Sequence, residues 1–297
     1  MRLIEDIAYA AFAGLARLSR GAPPAVVHAG WRLLGVLAGD VLRVRRRVVD
    51  RQLALCFPAA GARERRRLAR GVYRHLATSL AEILGDDPRA RPGAVRIEPG
   101  WEPLDRALAA GRGAIVVSAH LGNFELGGRV LAARHRLLDV VKPMRNRRFG
   151  RWLDEDRHRH GIGTVPVDGA AAAVLAHLRS GGVVSLLLDQ DAGAGGVRVP
   201  FLGREASAWP GAARFSLQTG CPVVPMAIVR GADGRHVLHV GAPLVPDGRA
   251  ADEAGIRAYT ADISLAVEAH IRRAPEQWFW VHRRWKEVER EAAGAGR

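Results

Sequence analysis

From about residue 95 onward, short β-rich runs alternate with helical stretches, and this alternation limits the possible folds more than any other feature of the chain. Aliphatic runs at 114–118, 137–141, 163–167, 183–188, 197–201, 223–229 and 236–240 are the strand candidates. Bounded runs of this length read as strands, and helices between them place the strands in one sheet covered on its faces. Two intervening helices have readable ends. Asp168 is the expected cap of a helix over 170–179 that stops before Gly181, and Pro210 opens a helix over 211–219 that stops at Gly220. Ile256, Tyr259, Ile263, Val267 and Ile271 then mark a last amphipathic helix, followed by "PEQWFWVHRRWK", whose tryptophans read as packing groups. The predicted fold is α/β, a central mixed sheet flanked by helices.

The first 90 residues follow a different pattern. Leu3, Ile4, Ile7, Ala11, Leu15 and Leu18 recur at helical spacing, and Trp31, Leu34, Val41 and Leu42 resume after Pro23 and Pro24, predicting two apolar helices. The apolar stretch over 7–16 follows Glu5 and Asp6 rather than a basic leader, and it is shorter than the roughly 20 residues that span a bilayer. Neither a cleaved signal nor a simple span is expected. Arg43, Arg47 and Arg51 stand four apart, and Arg63, Arg67, Arg70 and Arg74 repeat the spacing of one helix face, with Leu68, Val72, Leu76, Leu80 and Ile83 as the expected buried side. Residues 1–90 therefore read as apolar and basic helices facing a membrane, and 91–297 as the α/β core.

The 297-residue chain carries a formal charge of +15, almost wholly from arginine, since Lys142 and Lys286 are the only lysines. Such a field draws anionic partners, among them a bilayer surface, phosphorylated substrates, an acidic carrier protein or nucleic acid. No aromatic residues interleave with the arginines as a base-stacking platform, which argues against a nucleic-acid binder. Cys56 and Cys221 form no C-x-x-C pair and read as buried thiols in a reducing compartment.

One aliphatic run ends in chemistry. In "VVSAHLGNFE", His120 falls at the carboxyl end of a strand, where open sheets place their ligands, and Glu125 follows five residues on. On one continuous helix the two would point about 140° apart. They can cooperate only if His120 stays in the loop and Glu125 enters the first helical turn, with Gly122 and Asn123 folding the backbone between them. An imidazole that donates one N–H to a carboxylate keeps its other nitrogen as a proton acceptor. No G-x-S-x-G elbow supplies a nucleophile, so the attacking group is expected from the substrate, most simply a hydroxyl.

"HLGNFE" resembles the H-x-x-x-x-D/E motif of the glycerolipid acyltransferase superfamily, and the chain is similar nearly end to end to its lipid A late acyltransferase branch, which includes the phosphatidylinositol mannoside acyltransferases. The similarity also rests on the basic helical segment "RRRVVDRQLALCFPAAGARERRRLARGVYRHLATSLAEIL", on "VKPMRN", on "DQDAGAGGVRVPFLGREASAWPGAARFSLQTGCPVVP" and on the terminal "PEQWFWVHRRWK". The resemblance implies that His120 deprotonates an acceptor hydroxyl, which attacks the thioester of an acyl carrier protein or acyl-CoA, while Glu125 orients the imidazole. It implies an anionic glycolipid or lysophospholipid acceptor, no metal or cofactor beyond the acyl thioester, and a place on the cytosolic face of a bacterial inner membrane. Substrate contacts are expected from Asn123, Lys142, Arg145, Asn146, Arg157, Asp189, Gln190 and Arg198. Backbone N–H groups of Leu121, Gly122 and Asn123, or a nearby arginine, are the candidate oxyanion donors. Lys142 stands where many relatives carry arginine.

Two motifs offer other chemistry. Asp189-Gln190-Asp191 after an aliphatic strand is also the pattern by which metal-dependent glycosyltransferases hold a cation against a nucleotide-sugar diphosphate. That reading competes with a structural or acceptor-binding role. His158 and His160 form an H-x-H without a clear third ligand and read as solvated residues.

Overall fold

The computed structural model describes residues 2–295, and it forms a seven-stranded mixed sheet with helices on both faces. Strands β1 (Arg96–Glu98), β2 (Ala114–Ser118), β3 (Leu137–Val141), β4 (Ile162–Pro166), β5 (Val183–Leu187), β8 (Val223–Arg230) and β9 (His236–Val240) lie in the order β1-β9-β8-β2-β5-β3-β4. Only β8 and β9 pair antiparallel. A separate hairpin joins β6 (Val197–Phe201) to β7 (Arg204–Ala208). All seven sequence-predicted strands are present. Those absent from the prediction are β1, three residues long, and β7, whose "REASA" lacks an aliphatic run.

Ile115, Val117 and Val184 face one core cluster, with residues of α8 (Ala170–Arg179), α9 (Gly211–Thr219) and α10 (Glu253–Arg273). Val116, Val183 and Val224 face a second, with residues of α5 (Glu102–Leu108) and α6 (Phe124–Ala132). A central strand sealed on both sides in this way gains about 1.5–3 kcal/mol for each fully buried aliphatic side chain. On α10, Tyr259, Ile263, Val267 and Ile271 are all buried, as their spacing predicts. Helix α9 has the predicted ends, and Gly220 takes the left-handed conformation that closes it. Helix α8 also has the expected span, but its N-cap is Gly169 at φ 81°, not Asp168, and no side chain caps it.

The first helices are α1 (Arg2–Gly21), α2 (Pro24–Val36), which continues as a π-helical turn over Leu37–Val41, α3 (Arg46–Cys56) and α4 (Ala62–Leu84). Leu3 and Ile4 have side chains outside the described residues. Val49 and Leu53 of α3 and Ala69 and Val72 of α4 join the sheet's own core. Gln52 reinforces this by donating to the carbonyls of Trp280 and His282 at 2.7 and 2.8 Å. Helix α2 lies so close to α4 that a Cβ on Gly35 would meet the Tyr73 carbonyl oxygen at 2.9 Å.

The basic stripes are only partly as predicted. Arg43 and Arg45 adopt positive φ in the turn before α3, so Arg43 leaves the helical face that Arg47 and Arg51 share. Arg63, Arg67, Arg70 and Arg74 do line one groove on α4. Of the expected buried side of α4, Val72 is buried and Leu68, Leu76 and Ile83 are half-buried against the core, while Leu80 is exposed; Ala69, Tyr73, Ala77 and Ala81 are buried with them.

Among the described residues, no single helix is long and apolar enough to cross a membrane. Helices α1 and α2 and the turn after them nevertheless expose Ile7, Leu18, Val26, Leu33, Val41 and Leu42, each by 60% or more of its surface. Cys56 and Cys221 are buried free thiols, as expected.

Candidate active site

Strands β2 and β5 are parallel neighbours in register, Ser118 opposite Leu187. Two residues past each strand end, the chain places His120 and Asp189, and His120 Nδ1 lies 2.8 Å from Asp189 Oδ1. The Asp189 side chain is 2% exposed and that of His120 21% exposed, so the imidazole alone reaches solvent. The other carboxylate oxygen, Oδ2, accepts the indole N–H of Trp278 at 2.7 Å. With a carboxylate on Nδ1, the neutral ring carries its proton there and presents Nε2 as the acceptor. The amide nitrogen of Gln190 stands 3.4 Å from that Nε2. Phe124 meets the ring edge-on at 4.9 Å between centroids, and Phe279 lies at 6.0 Å.

This differs from the pairing that sequence spacing predicts. His120 does sit in the loop and Glu125 in the first turn of α6, capped by Asn123. Glu125, however, is gripped by Arg157 of α7 (Arg147–Arg159), with Oε1 2.6 Å from Nη2 and Oε2 3.1 Å from Nε. A two-pronged guanidinium contact outcompetes a single imidazole bond for that carboxylate, and Asp189 already occupies Nδ1. Glu125 acts on the ring only through space, as a nearby charge.

Burial of the His120 ring works against its charged form, but the charge and hydrogen bond of Asp189 outweigh burial and raise its pKa above the usual 6.5. For Asp189, burial works toward a higher pKa, yet the opposing His120 charge and the bonds from His120 and Trp278 leave it lowered.

The loop itself is clamped from behind. Gly122 sits at φ 62°, where a Cβ would overlap the Ile228 carbonyl oxygen, so only glycine fits there. Gly122 N–H donates to the Gln277 carbonyl at 3.1 Å and Phe279 N–H to the His120 carbonyl at 3.1 Å. Leu121 N–H is directed to the Ala119 carbonyl at 2.7 Å. Two of the three backbone groups expected to hold an oxyanion are thus already committed within the protein.

Asn123 is 2% exposed, and its two ends are taken by Leu126 N–H and Glu82. Glu82 in turn holds Arg230 through two contacts, at 2.7 and 2.6 Å, and Arg230 bonds His75 at 2.8 Å. This buried network joins α4 to the loop and to β8.

The other sequence-predicted residues are scattered. Asn146 caps α7 and donates to the Glu5 carbonyl at 3.1 Å, Arg145 lies 3.9 Å from Glu5, and Lys142 is exposed on the same connection. Arg198 pairs with Glu291 and Glu205 at the hairpin. Asp191 does not join Asp189 to form a paired grip: its oxygens accept the N–H groups of Gly193 at 2.7 Å and Glu287 at 2.9 Å. His158 bonds Thr164 and His160 bonds the Asp156 carbonyl. Among the described residues, no cluster of three His, Cys, Asp or Glu side chains could hold a metal ion.

Between the sheet and α6 lies a cleft, part of it open to solvent, whose wall includes Phe124, the ring that packs on His120. Val116, Leu131, Val141, Leu187, Met226 and Ile228 supply its apolar wall, and Phe124 and the Glu125–Arg157 pair also line it. Gly127 and Gly128 face the cleft from α6, and a Cβ on Gly128 would meet Ile162 at 3.3 Å.

A buried carboxylate holding an imidazole at a strand end is an arrangement able to take a proton from a bound group. Residues 3–287 match the bacterial lipid A biosynthesis acyltransferase family, and the chain belongs to it. It is an acyltransferase of that family. It is 29% identical to the lipid A biosynthesis palmitoleoyltransferase of Escherichia coli over 89% of this chain and 85% of that protein. It is 28% identical to the E. coli lipid A biosynthesis lauroyltransferase over 85% of this chain and 83% of that one. A phosphatidylinositol mannoside acyltransferase of Mycobacterium tuberculosis is 30% identical over 52% of this chain and 46% of its own length.

Proposed function

We propose that the protein transfers a fatty acyl group from a thioester, on acyl carrier protein or coenzyme A, to a hydroxyl of an anionic glycolipid or lysophospholipid, with His120 as general base and Asp189 as the residue that orients it. The observation that carries this reading is the 2.8 Å contact between His120 Nδ1 and Asp189, which leaves Nε2 as the proton acceptor. Nε2 takes the proton of the acceptor hydroxyl as its oxygen attacks the thioester carbonyl carbon. The tetrahedral intermediate then collapses, the carbon–sulfur bond breaks, and the imidazolium returns its proton to the departing thiolate. An ester and a free thiol result, with no cofactor consumed. Asp189 stabilises the transient imidazolium. The Gln190 amide is positioned to meet the reacting groups at Nε2, and the apolar cleft suits the acyl chain.

The family of lipid-modifying relatives supports the glycolipid acceptor. The exposed aliphatic residues of α1 and α2, next to the arginines of α4, support a peripheral seat on the cytosolic face of a bacterial inner membrane, apolar groups in the interface and guanidinium groups on anionic headgroups. Replacing His120 by Ala tests the reading. Acyl transfer should fall to background while circular dichroism and sedimentation with anionic vesicles stay those of the wild type; an active variant would exclude His120 as the base. Wild-type protein should also leave those vesicles as salt rises, and retention independent of salt contradicts the role given to the arginines.

A further inference from the structure

The chemistry above needs donors for the negative charge that develops on the thioester carbonyl oxygen. Near His120 most of the obvious ones are spent. The N–H groups of Leu121 and Gly122 are directed to carbonyls of the protein, the Asn123 amide donates to Glu82, and the Arg157 guanidinium holds Glu125. The Asp189-Gln190-Asp191 run supplies another. Both of its acids hold the chain in place: Asp189 takes His120 and the Trp278 indole, and Asp191 accepts the N–H groups of Gly193 and Glu287. The Asp191 N–H donates in turn to His282 Nε2 at 3.2 Å. Gln190 is thus pinned through both neighbours, and its half-buried side chain sets its amide nitrogen 3.4 Å from His120 Nε2, the atom that takes the proton.

We propose that the Gln190 side-chain amide is the oxyanion donor of the acyl transfer. The inference rests on the acyl-transfer reading and adds a catalytic residue to it. The 3.4 Å contact with Nε2 is long for a hydrogen bond, so the incoming hydroxyl displaces it at little cost. The freed N–H then donates to the carbonyl oxygen. As the hydroxyl oxygen bonds to the carbonyl carbon, the π pair moves onto that oxygen and the hydrogen bond from Gln190 strengthens. When the pair returns and the carbon–sulfur bond breaks, it weakens again; Gln190 forms no covalent bond and gives up no proton. A donor fixed before the reaction pays no reorientation cost during it, which is what the two flanking anchors secure.

The test is steady-state kinetics of the full chain as wild type, Gln190→Ala and Gln190→Glu. Dodecanoyl-CoA and dodecanoyl-acyl carrier protein are the donors, lysophosphatidylglycerol and a lipid A precursor the acceptors, and mass spectrometry reads the ester product. Gln190→Ala should lower kcat about 10²–10³-fold, the usual cost of one oxyanion donor. Its KM, melting temperature and acid-side midpoint of the rate should stay those of the wild type, because Asp189 still holds the imidazole. Gln190→Glu, of the same size but able only to accept, should be at least as slow. A wild-type kcat in either variant overturns the inference. So does a loss in Gln190→Ala accompanied by a shifted midpoint, which makes Gln190 a residue that steers the imidazole. A wild type that transfers no acyl chain from either donor to either acceptor overturns the acyl-transfer reading itself.

Discussion

Trp278 donates its indole N–H at 2.7 Å to Asp189, the carboxylate that also holds His120, from a ring that is 2% exposed. The terminal aromatic block thus serves packing and the site at once. Trp278 is buried among Phe201, Trp280 and Trp285, and the same segment clamps the histidine loop through Gln277 and Phe279. Trp278→Phe should keep most of the packing and remove the donor. A hydrogen bond to a charged group contributes about 1.5–3 kcal/mol to stability, so the melting temperature should fall accordingly, and kcat should fall as Asp189 loses its second anchor. Steady-state kinetics beside a thermal melt checks this.

Glu125 and Arg157 form a shielded pair whose side chains are 8% and 13% exposed. Removing one partner strands the other, so Glu125→Ala or Arg157→Ala should each destabilise the protein by about 3–5 kcal/mol. Replacing both by apolar residues of similar volume should recover much of that loss. Denaturant titrations of the two single variants and the double variant measure the coupling. If Glu125 steered His120 directly, Glu125→Gln would abolish activity without affecting stability.

Acid should unfold the protein through its buried network. Burial and the Arg230 charge hold His75 down to about 3, so the unfolded chain binds that proton first and stability falls as pH drops below 6.5. Glu82 adds to this. Burial opposes its charge, but the His236 ring and the Arg230 guanidinium hold it down to about 2, so its contribution is full above 4.5 and is lost as pH falls toward 2. Melting temperatures across this range should decline in two stages, and Glu82→Gln should flatten the lower one.

The elements around the site were legible from local patterns; the pairing inside it was not. Aliphatic runs between turn residues mark β2 and β5, and both form as expected, because a strand sealed on both faces has few alternatives. The contact between His120 and Asp189 spans 69 residues and exists because β2 and β5 are neighbours in the sheet, an adjacency that no local spacing encodes. Glu125 was the nearer acid along the chain, and only tertiary structure reveals that Arg157 claims it. Asp168 and Arg43 failed as local signals for backbone reasons, a left-handed Gly169 before α8 and positive φ at Arg43 and Arg45 before α3.

The pH dependence of acyl transfer, compared between wild type and Asp189→Asn, tests the account most directly. His120 must be neutral to accept a proton, and its pKa is raised above 6.5 by the Asp189 charge acting against burial. The wild-type rate should therefore decline on the acid side with a midpoint above 6.5. Asp189→Asn should move that midpoint lower and cut the maximal rate about 10²–10⁴-fold. A variant that keeps both the wild-type midpoint and the wild-type rate would show that Asp189 does not steer the base.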